Sequence, residues 1–69
     1  MHQLDKGEFR RAYKAERDPD MCRKLAAVWH FVYLGKDIDA AAEDSMCSRD
    51  TVHECERKYV SGGIDALRD

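Results

Sequence analysis

Apolar residues recur three and four positions apart along most of the chain, and this spacing predicts helices rather than strands. The most apolar stretch covers residues 18–35, where Asp18 and Pro19 mark a helix start and Gly35 marks a helix stop. Its apolar face is predicted to consist of Cys22, Leu25, Ala26, Trp29, Val32 and Tyr33. We therefore expect this helix to form the centre of the core.

A further helix is predicted ahead of it, within residues 1–17. Asp5 and Glu8 have the spacing of a capping box, and Phe9 and Tyr13 lie one turn apart on the apolar side. A neighbouring face carries a basic stripe: Arg10, Lys14 and Arg17. Such a stripe is ordinarily a solvated helix face; its alternative role is to grip a DNA backbone or a partner protein.

Residues 37–61 are predicted to form two helices separated by a tight turn. Asp37 is expected to cap the first helix and Ser48 the second, with residues 45–47 in the turn between them. The second helix is expected to end just before two consecutive glycines. Residues 62–69 then supply a last turn that folds back onto the core. The whole pattern predicts one small all-α domain of four helices.

The charge balance bears on the kind of partner. The chain of 69 residues has 12 Lys and Arg against 14 Asp and Glu, for a formal net charge of −2. This balance argues against a large, uniformly basic surface, so the placement of charge matters more than its sum.

No apolar stretch is long enough to span a membrane, and the first residues lack the apolar region of a signal peptide. With an odd count of three cysteines, the sequence predicts a reduced, cytoplasmic protein.

Residues 45–59 combine two cysteines, a histidine and several acids, a set that could hold a metal ion or form a DNA-recognition helix. On a helical wheel Cys55 falls on the apolar side and His53 on the polar side, so the two cannot bind one ion from the same helix. The usual zinc spacings are also absent. We therefore predict no metal and no cofactor, and three cysteines that serve as small buried residues: Cys22, Cys47 and Cys55. No nucleophile–base pair, glycine-rich phosphate loop or carboxylate pair has a recognisable spacing, so no enzyme activity is predicted.

A short helix, a tight turn and a second helix with a polar outer face are the parts of a helix-turn-helix. The chain also carries a series of residues in a characteristic order and spacing: Arg23, Gly35-Lys36-Asp37, Ala41-Ala42, Cys47-Ser48, Thr51-Val52, Lys58-Tyr59, Gly63-Ile64 and Leu67. With these residues, the stretch from Arg23 to Asp69 resembles the N-terminal DNA-binding region of insertion-sequence transposases. The resemblance implies a homeodomain-like helix-turn-helix that binds double-stranded DNA.

The DNA-binding role implied by the resemblance falls on the outer face of the fourth helix, which would lie in the major groove. Arginines there can pair with guanine or contact phosphate, whereas Asp50 and Glu54 can accept from cytosine but repel phosphate. The candidate DNA-binding residues are Ser48, Arg49, Asp50, Thr51, His53, Glu54, Arg57 and Lys58. We expect target or end recognition for a transposase-like protein, or transcriptional regulation, in the cytoplasm or at the nucleoid.

The chain also departs from the family at informative positions. Met46 stands in the turn where the family prefers glycine, which predicts a backbone with positive φ at this residue. Transposases of this kind continue into a catalytic domain with three acidic metal ligands, which has no counterpart in this sequence, so transposase activity is not expected. Asp50 and Glu54 offset the charge of Arg49 and Arg57. This balance supports a rival interpretation, in which the domain is a protein-interaction or dimerisation module, for instance a homodimer.

Overall fold

The computed structural model describes residues 4–68, which form four helices around a common core. Helix α1 spans Lys6–Ala15, α2 spans Pro19–Val28 and continues as a π-helical segment at Trp29–Tyr33, α3 spans Ile38–Ser45 and α4 spans Arg49–Leu67. The predicted all-α fold of four helices is confirmed. The first three residues of the predicted N-terminal segment 1–17, and Asp69 at the end of segment 62–69, lie outside the described residues. Within residues 4–68, no helix has both the length and the apolar character needed to cross a lipid bilayer.

Short polar side chains start three of the helices, as predicted. Asp5, Asp37 and Ser48 each accept the backbone N–H of the residue three positions on, at 2.8, 2.8 and 3.2 Å. Asp18 makes no such bond. There Pro19 occupies the first turn, where its ring fixes φ and its missing N–H leaves no donor unsatisfied. Capping therefore fixes where α1, α3 and α4 begin, and proline fixes the start of α2.

The buried face of α2 differs from the predicted one. Met21, Leu25 and Val28 are at most 2% exposed, whereas Cys22 is only half-buried. The three buried residues are four and three positions apart and so share one helix face, which turns Cys22 toward the edge of the core. The core of the described residues consists of Phe9, Met21, Leu25, Ala27, Val28, Ala41, Ala42, Val52, Cys55, Tyr59 and Leu67. Helix α2 lies at its centre, in contact with each of the other three helices.

The π-helical segment changes the register of the second half of α2. The Leu34 N–H donates to the Trp29 carbonyl, five residues back, at 2.9 Å. The wider turn rotates the residues after Val28 away from their α-helical register. Trp29, Val32 and Tyr33 are therefore half-buried at the edge of the core, and the prediction that they continue its central face is wrong.

Phe9 of α1 inserts among the aromatic rings at this edge. Its ring centroid lies 4.7 Å from that of Tyr33, 5.3 Å from that of Tyr59 and 6.1 Å from that of Trp29. Offset-stacked and edge-to-face contacts of this kind add to the free energy gained from burial. The cluster joins α1, α2 and α4.

Two tyrosine hydroxyls close a hydrogen-bonded ring with the backbone of Leu4. The Leu4 N–H donates to the Tyr59 hydroxyl at 2.9 Å, and the Tyr33 hydroxyl donates to the Leu4 carbonyl at 2.5 Å. The two hydroxyl oxygens are 2.5 Å apart, which leaves the Tyr59 hydroxyl to donate to that of Tyr33. Tyr59 has no exposed surface, so this ring satisfies the one polar group that it brings into the core.

The C-terminal end of α4 bends at Gly63, whose φ of 73° and ψ of −163° are non-helical. The helical stretch thus continues past the glycines at which we expected it to stop, and its last turn buries Leu67 completely. Lys24 Nζ donates to the Leu67 carbonyl at 2.7 Å, and Arg68 pairs with Glu16 at 2.6 Å. These contacts fasten the last turn to α2 and to the end of α1.

Candidate nucleic-acid interface

The connection between α3 and α4 is a turn of three residues. Met46 takes the left-handed conformation, with φ 60° and ψ 35°, and its side chain is 83% exposed. The N–H groups of Met46 and Cys47 donate to carbonyls of the last turn of α3, at 3.2 and 3.0 Å. The positive φ predicted for Met46 is therefore present. This left-handed residue ends α3 and redirects the backbone, so that Ser48 can cap α4 two residues later.

Helix α4 separates a buried side from an open side. Val52, Cys55 and Tyr59 are at most 4% exposed and pack in the core. The open side, called here the α4 outer face, consists of Arg49, Asp50, His53, Glu54 and Arg57, all exposed. The segregation predicted from the helical wheel is confirmed, because packing on α2 and α3 uses the apolar side only.

Two cations at this helix are held by carboxylates. Arg49 lies 3.3 Å from Asp39 of α3, and Lys58 lies 3.2 Å from Glu54. Both pairs are exposed to water and therefore weak, so an incoming phosphate could replace either carboxylate. Arg57 has no ion pair among residues 4–68. It is the cation of the α4 outer face that can take a new partner without breaking an existing contact.

The remaining predicted residues lie around this face. The Ser48 and Thr51 hydroxyls are 2.9 Å apart and form part of the helix cap, so both stand at the N-terminal end of α4. The exposed His53 ring meets Phe31 of the π-helical segment edge-on, with centroids 5.6 Å apart. Lys58 is half-buried on the flank of the helix. The structure thus gathers five of the eight candidates on one face and places the other three at its margins.

The neighbouring surface of α3 is acidic. Asp39, Glu43 and Asp44 are exposed, and α3 has no basic residue in its last turn. Asp44 pairs with Lys36 at 2.6 Å, and the hydrogen bond from Lys36 lowers the pKa of this carboxyl. Acidic side chains beside the α4 outer face weaken its attraction for a phosphate backbone.

The thiols do not form a metal site with the nearby histidine. Among residues 4–68, no three His, Cys, Asp or Glu side chains lie close enough together to hold a metal ion. Cys55 is buried, and burial raises the pKa of its thiol. Cys22 and Cys47 are half-buried, so the prediction of three buried cysteines is wrong for these two. The Cys22 thiol donates to the Glu16 carbonyl at 3.3 Å in the connection between α1 and α2, and Cys47 lies in the turn rather than on a packed helix face.

The sequence-based prediction covered only part of the most basic surface. Residues 6–17 carry five cations, Lys6, Arg10, Arg11, Lys14 and Arg17, all of them exposed. None of the five has an ion pair among the described residues. The predicted basic stripe included three of them. The spacing of Lys6 four residues before Arg10 was the available signal for a longer row.

Comparison of the chain with protein-family models, with curated proteins and with solved structures finds no match. The resemblance to transposase DNA-binding regions therefore stays a prediction.

Proposed function

We propose that this protein binds double-stranded DNA by inserting the first half of α4 into the major groove. The observation that carries the proposal is the pairing of α3 and α4 through a three-residue, left-handed turn, with the polar side of α4 left open to solvent. A helix presented in this way, and braced from behind by a second helix, is the arrangement with which a helix-turn-helix reads DNA.

Three donors follow one another along the α4 outer face. Arg49, His53 and Arg57 are spaced by four residues, so they rise along one side of the helix by roughly 6 Å at each step. An arginine side chain can donate two hydrogen bonds to one guanine, and a histidine can donate to a base edge or a phosphate. The row is about 12 Å long, and the major groove, about 12 Å wide, admits a helix of this kind.

The two acids of the α4 outer face affect both the nonspecific affinity for DNA and its dependence on sequence. Asp50 and Glu54 repel phosphate, so nonspecific affinity should be weak and its salt dependence shallower than for a basic recognition helix. The same carboxylates can accept from the exposed amino group of cytosine. Binding that depends on sequence more than on general attraction is the expected result.

The proposal is tested by two substitutions on the open face, measured as duplex affinity at two salt concentrations. Arg57→Ala should lower the affinity by about 1–3 kcal/mol for a preferred sequence if the arginine reads a base. If it contacts phosphate alone, the loss should be similar on all sequences and the salt slope should fall by about one. Glu54→Lys should strengthen nonspecific binding and steepen the salt dependence.

A matched control for Arg57→Ala is Arg17→Ala, because Arg17 is also exposed and without an ion pair among the described residues, but follows α1. The control should bind DNA as the native protein does. Equal losses in both variants would mean that net charge, and not the α4 outer face, governs binding. Absence of binding in the native protein at low salt and in Glu54→Lys would overturn the proposal.

A second candidate function is protein interaction through the same face. The observation that favours it is the Arg49–Asp39 pair beside the acidic side of α3, since together they leave the surface without an excess of positive charge. A homodimer is the simplest case. Light scattering that gives a dimer mass, together with its loss in Arg57→Ala and no DNA binding by any variant, would favour this second function.

A further inference from the structure

A second surface, on the opposite side of α2, combines a row of cations with a partly exposed aromatic ring. Lys6, Arg10 and Lys14 are spaced by four residues along α1 and so form a straight row with a step of roughly 6 Å. Beside the row lies the half-buried Trp29, and Leu34 next to it is 40% exposed. We call these five residues the α1 basic face.

This surface contains two adjoining clefts. A cleft of about 250 Å³ is lined by Arg10, Tyr13, Lys14 and Trp29. A larger one of about 590 Å³ is lined by Lys6, Gly7, Arg10, Trp29 and Leu34. Arg10 and Trp29 line both clefts, so they form the wall between them. The surface thus offers two places for apolar side chains and a rim of positive charge.

The α1 basic face cannot join the α4 outer face in a single contact surface. Trp29 packs against Phe9 of α1, whereas Phe31, two residues later, meets His53 of α4. Residues two positions apart on a helix project in nearly opposite directions. A partner on the α1 basic face therefore approaches from the other side of the molecule.

The charge distribution defines the partner as acidic and short. Residues 6–17 carry five cations and two acids, so with a total of −2 the remainder of the chain carries a net charge of −5. A long nucleic acid bound along the row would extend past both of its ends and face this acidic remainder. A peptide helix no longer than α1 would end before it reached those acids. Acids spaced by four residues on such a helix would repeat at the same step as the cations.

The aromatic ring also favours a peptide over stacked bases. Phe9 lies nearly parallel to the Trp29 ring, at an angle of 4°, and the Lys6 ammonium lies over this ring at 5.7 Å from its centroid. The indole is thus already engaged by its own neighbours. Apolar side chains can fill the clefts beside it without displacing these contacts. We propose that the α1 basic face docks an acidic amphipathic helix of a partner protein, with its apolar side chains in the two clefts and its carboxylates along Lys6, Arg10 and Lys14.

The position of Trp29 allows a direct test, because it is the single tryptophan of the chain. The probe is a synthetic helical peptide of about 12 residues without tryptophan, with glutamates on one side and leucines on the other. Its binding should change the emission of Trp29 and should weaken as salt is added. A second peptide with glutamines in place of the glutamates should bind at least about tenfold more weakly, a difference of about 1.4 kcal/mol.

The chain offers a matched pair of variants. Arg10→Glu reverses a charge that lines both clefts, and Arg11→Glu reverses the neighbouring charge, which lines neither of them. Both side chains are exposed and have no ion pair among residues 4–68, so both variants should fold, as a thermal melt would verify. Arg10→Glu should weaken peptide binding by about tenfold and Arg11→Glu by about twofold or less.

Three results would overturn this proposal. One is no change in Trp29 emission with the acidic peptide at low salt. Another is equal weakening by Arg10→Glu and Arg11→Glu, which would indicate attraction to net charge alone. The third is tighter, Arg10-dependent binding of single-stranded oligothymidylate, which would make the surface a nucleic-acid site. None of these outcomes depends on whether the α4 outer face binds duplex DNA.

Discussion

The turn at Met46 yields a stability prediction whose magnitude follows from the backbone. An L-residue in the left-handed conformation costs about 1–2 kcal/mol, and glycine removes this cost. Glycine in turn loses more backbone freedom on folding, by roughly 0.5–1 kcal/mol. The side chain of Met46 is 83% exposed, so its removal sacrifices little buried surface. Met46→Gly should therefore raise the free energy of unfolding by about 0.5–1 kcal/mol.

In a domain of this size, such a gain corresponds to a rise in Tm of about 2–8 °C. The assay is a thermal melt followed by circular dichroism, combined with denaturant unfolding to show that the slope m is unchanged. Met46→Ala keeps the Cβ atom and should stay within about 0.5 kcal/mol of the native protein. A gain in Met46→Ala equal to that in Met46→Gly would assign the effect to the methionine side chain instead of the backbone.

Gly35 supplies the reciprocal control. Its φ is +67°, and a Cβ atom built there meets nothing within 4 Å, so Gly35→Ala introduces the conformational cost without a steric clash. We expect a loss of about 0.5–1 kcal/mol. A Tm for Met46→Gly at or below that of the native protein, with Gly35→Ala destabilised as expected, would refute the reasoning for the turn.

Three further predictions concern buried and half-buried groups. Tyr59→Phe removes the hydroxyl that the Leu4 N–H and the Tyr33 hydroxyl contact. The free energy of unfolding in denaturant should therefore fall by about 1–3 kcal/mol. In a thiol-labelling time course of the native protein, the half-buried Cys22 and Cys47 should react before the buried Cys55, because burial raises the pKa of the Cys55 thiol. If Cys55 reacted first, its placement in the core would be contradicted. Burial lowers the pKa of His30 from its usual 6.5, so the stability it contributes is present above about pH 6.5 and is lost as the pH falls through the lowered pKa. Unfolding measured between about pH 7.5 and 5.5 should show this loss, and His30→Gln should reduce it.

Local signals predicted the helix starts well, because the interactions that fix them are local. Asp5, Asp37 and Ser48 each cap a helix through an N–H only three residues away. The alternation on α4 was also predictable, since residue spacing alone puts Val52 and Cys55 on one side. These features depend on the residues within one or two helical turns.

The second half of α2 was not predictable in the same way. Its π-helical segment carries Trp29 and Tyr33, which pack against Phe9, about twenty residues away in sequence. A helical wheel assumes one constant angle per residue, so it placed Trp29 in the centre of the core. Cys22 was misplaced because the buried face of this helix runs through Met21, Leu25 and Val28, which puts the neighbouring Cys22 at its edge.

The candidate interface was predictable as a set of exposed positions but not in its ion pair between helices. Arg49 meets Asp39 of another helix, a contact that depends on how α3 and α4 are packed. The sequence placed Glu54 on the open side, and the structure adds that Lys58 partly neutralises it. Arg57 consequently differs from the other cations of α4, and for Arg49 this distinction depends on packing that spacing does not give.

The most direct test of the account is a titration of the isotope-labelled native protein with mixed-sequence duplex DNA at low salt, followed by the backbone amide signals in NMR. DNA binding through α4 predicts shifts at the α4 outer face, centred on His53 and Arg57, that diminish as salt is raised. The amides around Lys6, Arg10 and Lys14 should remain unchanged. Shifts confined to those α1 amides, or no shifts at any DNA concentration, would contradict the central claim that this protein reads duplex DNA with α4.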